Sequence, residues 1–308
     1  MKTIHFLAST QAVDLVFLPN LNEIASGLWR RAFLGIRPPR ALKGKLAGIY
    51  LRPRFLSPSN RSFSAWIKRI GFFKLLQENW FHQIYLLNPW LYKEIRKQHP
   101  HLPIRWLPDP YPSDFQRDPQ AARRRFGIPD DARVLLFYGG PYRRKGLDLV
   151  LEAMDMLQDP KRLLLVCAGQ QPSQPSLRKL QKKLVSNGKA MVIDRFVTIE
   201  EEKLLFAAAD IVLLPYRGHF ETSGVFSRAM GAGKMVIASD EYLIGYFTQH
   251  HRVGLVFPSG NAVALRRIFE QIADMSKAEV EAFQQRARRF RFLWSPEQFE
   301  RKLLNGLL

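Results

Sequence analysis

The chain has 308 residues, 46% of them hydrophobic, which is enough for two domains with buried sheets. Its single cysteine, Cys167, excludes a disulfide framework and a thiolate metal cluster, and its place at the end of an apolar run reads as an inert core thiol. No apolar run approaches the ~20 residues that span a bilayer, and no signal peptide is visible at the start, so a cytoplasmic protein is expected.

In chain order, residues 13–18, 46–51, 83–87 and 104–107 read as short strands, with helical patterns at 21–34, 63–78 and 89–98 between them. That alternation predicts parallel α/β units. Pro108, Pro110, Pro112 and Pro119 resist regular structure and mark a linker at 107–119. The division expected is a first domain at 1–115, a second at 116–292, and a terminal helix within 293–308 that begins at Pro296 with Ser295 as its N-cap. Phe299, Leu303 and Leu304 give that helix an apolar face to dock on a neighbour.

The net charge of +20 is spread unevenly. Residues 1–118 hold 18 Lys and Arg against 7 Asp and Glu, and the remainder 29 against 20, so the first domain is the more basic per residue. Arg30, Arg31, Arg37, Arg40, Lys43 and Lys45 lead the cluster, with Trp29, Phe33, Phe63, Trp66, Phe72 and Phe73 interleaved. Two readings fit: an anionic membrane surface, on which each cation contributes about 1 kcal/mol, or an ordinary solvated basic face. No nucleic-acid module accompanies the charge, so a nucleic-acid partner is not expected.

The second half carries the chemistry. Residues 134–138 form a strand that ends in Gly139-Gly140, followed by Arg143-Arg144-Lys145-Gly146 and an amphipathic helix at 147–157. Further strands are expected at 163–168, 211–214, 235–238 and 254–257. The strand at 211–214 is stopped by Pro215, and a polar loop leads through His219 and Glu221 to Thr222-Ser223-Gly224, which opens a helix rich in small residues. Such a helix start presents unpaired N–H groups and a positive dipole end to an anion, at the end of parallel strands where ligands bind. The segment is not a P-loop, because Gly146 rather than Ser or Thr follows Lys145. His219 reads either as a phosphate contact or as a solvated loop residue, and Glu221 either as a ligand contact or as an acid favouring the start of the next helix. His250 and His251 have no third ligand in reach, and no metal site is expected.

The segments FYGGPYRRKGLDLVLEAM, LLLVCAG, AAADIVLLPY, ETSGVFSRAMGAGKMVIASD and VGLVFPSGNAVALRRIF, in this order over residues 134–269, resemble the retaining GT-B glycosyltransferases. The resemblance implies two Rossmann-like parallel-sheet domains facing a cleft, the first reduced, and a terminal helix that packs back on the first domain. It also implies transfer of a hexose from a nucleotide-diphosphate sugar, a UDP- or GDP-sugar, to a lipid-linked or polysaccharide acceptor, with no tightly bound cofactor. The location implied is cytoplasmic, with peripheral attachment to the inner face of the membrane. On this footing Lys145 and one of Arg143 or Arg144 hold the diphosphate, beside the backbone of Gly139 and Gly140 and the N–H groups of Thr222, Ser223 and Gly224. Glu221, with Lys145, takes the catalytic role, orienting the sugar's hydroxyls or stabilising charge at the anomeric carbon. Arg228 departs from the family pattern, standing where an acid holds the ribose hydroxyls, so Arg228→Glu is expected to tighten nucleotide binding. Alignment on Ala229-Met230 sets Phe220 rather than Glu221 at the first acidic position. These departures, with the short first domain, keep open an alternative: a catalytically impaired relative that binds nucleotide or sugar as a regulatory or scaffold protein.

Overall fold

The computed structural model describes residues 13–57, 59–112, 114–140, 142–159 and 162–307; Ser113 of the linker segment and Pro141 of the loop after Gly140 lie outside that description. The chain divides into two compact units, Met1–Pro108 with Glu297–Leu308, and Asp109–Pro296.

Unit 1 alternates β1 (Val16–Leu18), α1 (Asn22–Phe33), β2 (Leu46–Tyr50), α2 (Phe63–Gln77), β3 (Phe81–Leu86), α3 (Pro89–Gln98) and β4 (Ile104–Trp106). The four strands pair in parallel in chain order. Right-handed crossovers in a sheet that grows in one direction carry its helices on one face. Trp29 of α1 is fully buried, packs edge-on to Phe72 of α2 at 5.1 Å, and donates its indole N–H to the Tyr50 hydroxyl at 3.2 Å. Ile49 and Tyr85 pack with Phe299, Leu303 and Leu307 of the terminal segment, and the Tyr85 hydroxyl donates to the Leu303 carbonyl at 2.6 Å. Helix starts follow capping chemistry: Ser62 accepts from the Ala65 N–H ahead of α2, and Asn88 from those of Trp90 and Leu91 ahead of α3.

Unit 2 runs α4 (Pro119–Phe126), β5 (Arg133–Tyr138), α5 (Leu147–Asp155), β6 (Leu163–Ala168), α6 (Pro175–Ser186), β7 (Ala190–Ile193), α7 (Ile199–Ala208), β8 (Ile211–Leu214), α8 (Gly224–Gly231), β9 (Met235–Ser239), α9 (Tyr242–His250), β10 (Gly254–Phe257), α10 (Ala262–Asp274) and α11 (Lys277–Phe290). Its sheet has the order β10-β9-β8-β5-β6-β7, with every pair parallel. Because both faces are covered, the strands read as continuous apolar runs. Alternate residues serve opposite cores: Leu136, Val212, Leu214 and Val236 pack in one, and Leu135, Phe137, Leu213 and Ile237 in the other. Cys167 is buried in the second core, and burial pushes its thiol up to about 12.

Two features differ from the expectation. The edge strand β7, four residues long and half-buried over its last three, has no counterpart among the strands anticipated. From Asp109 on, the proline-rich segment is part of unit 2 rather than an open linker: Phe115 is buried 5.4 Å from the Phe206 ring, and the Tyr111 N–H donates to the Trp294 carbonyl at 3.1 Å. Prolines prevent helix and ladder hydrogen bonds here without preventing packing.

Candidate functional site

Strand order reverses between β5 and β8, so the loops leaving their carboxyl ends diverge and open a crevice. The loop after β5 passes Gly139 and Gly140, makes a turn of 3-10 helix at Arg143–Lys145, and enters α5 through Gly146. Gly146 has φ +73°, and a Cβ there would lie 2.1 Å from the Pro215 carbonyl oxygen in the loop after β8. The two loops are also joined by the Arg217 N–H, which donates to the Arg144 carbonyl at 2.8 Å, and by the Arg217 guanidinium, which bonds Asp148 at 2.9 Å. Gly139 has φ +111°, and the Lys145 ammonium occupies the space its Cβ would fill, 2.1 Å away. That ammonium donates to the Tyr138 carbonyl at 3.4 Å.

Two hydrogen-bond clusters flank the start of α8. The Arg144 guanidinium lies 3.1 Å from His219 Nδ1, and His219 Nε2 lies 2.9 Å from the Thr222 carbonyl. The carbonyl accepts, so Nε2 carries the proton and Nδ1 accepts from Arg144. Ser223 caps α8, its hydroxyl oxygen accepting from the Phe226 N–H at 3.4 Å. Arg228, one turn into the helix, donates through Nε to Glu202 at 2.7 Å and through Nη1 to the Gly224 carbonyl at 3.1 Å. The other oxygen of Glu202 accepts from the Tyr138 hydroxyl at 2.6 Å.

Lys145 registers this crowding of cations, and its neighbours register their burial. Burial, then the positive charges of Arg144 and Arg228, push the Lys145 ammonium down to about 8. The Tyr138 phenol is raised by burial and by its bond to Glu202. Burial likewise raises the Asp109 carboxyl, against the opposing pull of its bond to Thr222 and the Arg228 charge.

Gly139, Arg144, Lys145, His219, Thr222, Ser223, Gly224 and Arg228 are therefore drawn into one neighbourhood, with Gly140 next in the chain. Arg143 differs: its side chain is exposed, and its carbonyl accepts from Arg217 at 3.3 Å. Glu221 is buried at 3% exposure, and the helix cap it was an alternative for is supplied by Ser223. The expected benefit of Arg228→Glu is contradicted by the geometry, since a carboxylate at 228 would be set against Glu202. Sequence reasoning missed Tyr138, Glu202 and Asp109. Glu202 sits in the run Glu200-Glu201-Glu202, which reads as a solvated helix face, yet it is only 7% exposed.

A depression of ≈ 990 Å³ lies at the opposite, amino ends of the strands, lined by Arg123, Asp210, Lys234 and Glu281 among others. Of these, Arg123 pairs with Asp210 at 2.7 Å, and Lys234 donates to the Ala207 carbonyl at 2.8 Å. Among the described residues no group of three His, Cys, Asp or Glu is arranged to hold a metal, and no helix is long and apolar enough to cross a membrane.

The sequence model of the glycosyl transferases group 1 family matches residues 118–290, from α4 through α11. The chain belongs to that family. An uncharacterized glycosyltransferase of Methanocaldococcus jannaschii is 30% identical over 118 residues, 38% of this chain and 30% of the relative. A D-inositol 3-phosphate glycosyltransferase of Streptomyces scabiei is 29% identical over 165 residues, 50% of this chain and 36% of the relative. The matched stretches thus span about a third of these curated relatives. Among solved structures, sucrose-phosphate synthase from Thermosynechococcus elongatus superposes with a TM-score of 0.68 at 18% identity, over 99% of this chain and 76% of that one. Anabaena HepE in complex with UDP gives 0.73 at 15% identity, over 99% and 80%. These neighbours share the GT-B fold: two Rossmann-like units with parallel sheets of four and six strands here.

Proposed function

We propose that the chain is a retaining hexosyltransferase that moves a sugar from a nucleotide-diphosphate donor to a lipid-linked or polysaccharide acceptor. The observation that carries this reading is the gathering of Lys145 and Arg144 beside the start of α8, at the switch point of a doubly wound sheet. Breaking the bond between sugar and diphosphate builds negative charge on the departing phosphate. Fixed cations and backbone N–H groups stabilise that charge most where water is excluded. Lys145 and Arg144 supply the cations, α8 supplies the N–H groups near Ser223 and Gly224, and Glu221 serves the sugar, orienting its hydroxyls or stabilising charge at the anomeric carbon. UDP-sugars are the first donors to test, because solved structures of Anabaena HepE hold UDP and UDP-glucose.

The partner surface is proposed to be an anionic membrane. On α2 the side chains of Phe63, Trp66 and Ile70 recur on one face and stand exposed, with Leu34 and Ile36 exposed near the end of α1. Arg30 donates to Ser64 beside that stripe. Large apolar groups bordered by cations suit the headgroup region of an anionic bilayer.

A second reading, a non-catalytic relative that binds nucleotide as a regulator or scaffold, is favoured by Arg228 at a position that is acidic in the pattern it resembles. The test is a thermal-shift screen of UDP-, GDP- and ADP-sugars followed by assay of donor turnover. A ligand at a hundred times its dissociation constant adds about 2.7 kcal/mol, which such a screen detects. Stabilisation with turnover supports the enzyme, stabilisation without turnover supports the regulator, and no stabilisation by any donor refutes both.

A further inference from the structure

Arg228 is held in a manner that leaves part of it unused. Its Nε is spent on Glu202 and one hydrogen of Nη1 on the Gly224 carbonyl, while Nη2 makes no hydrogen bond among the described residues. Lys145, with three N–H groups available to an ammonium, makes one hydrogen bond among them. Arg144 meets His219 through Nη1 alone. Arg144 and Lys145 in the loop after β5 and Arg228 one turn into α8 are three cations with spare donors, the first and last both within electrostatic range of Lys145, and like charges gathered in partly buried space raise the energy of the empty site. Glu202 offsets part of that cost from behind. At 7% exposure, fastened by Arg228 at 2.7 Å and the Tyr138 hydroxyl at 2.6 Å, it holds the guanidinium through Nε and leaves Nη2 unengaged.

We propose that Arg228, positioned by Glu202 and Tyr138, completes a three-cation socket with Arg144 and Lys145 that selects a nucleoside diphosphate over less highly charged nucleotides. The inference rests on the donor reading above and narrows it. A terminal phosphate has its second pKa near 6, so a free nucleoside diphosphate carries about three negative charges at pH 8, whereas a nucleotide sugar, esterified on that phosphate, carries about two. A socket of three cations interacts most strongly with the more charged species. In transfer, that is the departing diphosphate as the bond to the sugar breaks, so the third cation contributes more to the transition state than to donor binding. It also makes the diphosphate product a tighter ligand than the donor.

The experiment is calorimetry on the full chain with UDP, UMP and UDP-glucose, and with the GDP series in parallel. The wild type is expected to bind the diphosphate at least tenfold more tightly than the monophosphate or the sugar nucleotide. Arg228→Gln is expected to weaken the diphosphate roughly tenfold to a hundredfold, the range of a charged hydrogen bond, and the monophosphate much less. Arg228→Lys, which keeps the charge, should restore most of the preference. A wild type that binds none of these nucleotides, nor ADP and ADP-glucose measured alongside them, overturns the donor reading itself. A wild type that binds the diphosphate while Arg228→Gln matches it, or loses diphosphate and monophosphate equally, overturns this inference alone. If Arg228→Gln does not fold, the wild-type preference and the Arg228→Lys ratio decide: absence of the first or loss of the second refutes the socket.

Discussion

Lys145 carries a pH signature that separates it from its neighbours. With its ammonium brought down to about 8, it is charged below that pH and increasingly neutral above it in the free protein. A bound diphosphate favours the charged form and raises the pKa, so affinity is full below pH 8 and declines as pH rises through it, by up to tenfold per unit until the raised value is reached. Titrating nucleotide from pH 7 to 9.5 should reveal that decline. Lys145→Arg, charged throughout the range, should flatten it, and Lys145→Ala should be both weak and flat. A wild-type profile without a slope would remove Lys145 from the site. Stability is a poorer probe. Each depressed lysine binds fewer protons folded than unfolded between pH 8 and 10.5, so stability rises with pH across that window. Lys234, brought to about 8 by burial at the other end of the sheet, acts over the same range and mixes with Lys145.

At the level of elements, the two site glycines make different demands, and substitution should distinguish them. A methyl group at Gly146 would meet a backbone atom, the Pro215 carbonyl, in a left-handed conformation. Gly146→Ala should therefore lose about 1 to 3 kcal/mol, seen as a lower midpoint in urea, and weaken nucleotide binding because the loops after β5 and β8 are pushed apart. At Gly139 an alanine would also be strained by φ +111°, but the atom it meets is the tip of Lys145, which can move, so Gly139→Ala should lose stability too and, by displacing that ammonium, more affinity per unit of stability lost than Gly146→Ala. Equal ratios of the two losses would show that the loops act only as fold. The same elements explain what the sequence could reveal. Strands β5, β6, β8 and β9 were legible because burial on both faces makes them largely apolar, and the half-buried edge strand β10 because Gly254 and Pro258 bound it. The edge strand β7 was missed although its four residues are all apolar, because a run that short does not by itself distinguish a strand from part of a helix. Lys145 and the start of α8 were legible because glycines and a Ser cap mark loops locally. Glu202 was not, since its role arises from Tyr138 and Arg228, 64 and 26 residues away, and no local pattern encodes such a meeting.

For the whole molecule, the net charge of +20 is meaningful only with its arrangement. Not every cation of unit 1 is available to a surface. Arg37 pairs with Glu78, Arg69 donates to the carbonyls of Phe55, Ser57 and Asn60, and Lys45 holds the Val13 carbonyl at 2.7 Å. Arg31, Arg40, Lys43, Arg54 and Arg61 are exposed. The apolar part is better defined, with Phe63 at 73%, Trp66 at 48% and Ile70 at 37% exposure on a single helix, too much apolar surface on one face to be ordinary scatter. Two contributions to vesicle binding follow, and salt separates them. Screening shortens from roughly 10 Å at 0.1 M to roughly 3 Å at 1 M, so the contribution from cations should fade over that range while insertion of the aromatic side chains should not. In co-sedimentation, the wild type should pellet with anionic vesicles at low salt and retain a weaker, salt-resistant fraction at 1 M. Replacing Arg31, Arg40 and Lys43 with Gln should remove the low-salt advantage of anionic over neutral vesicles. Replacing Phe63 and Trp66 with Ser should abolish the salt-resistant fraction, because each buried aromatic contributes about 1.5 to 3 kcal/mol. If both variants pellet like the wild type, α2 faces water or a protein, and the acceptor is to be sought among soluble glycans.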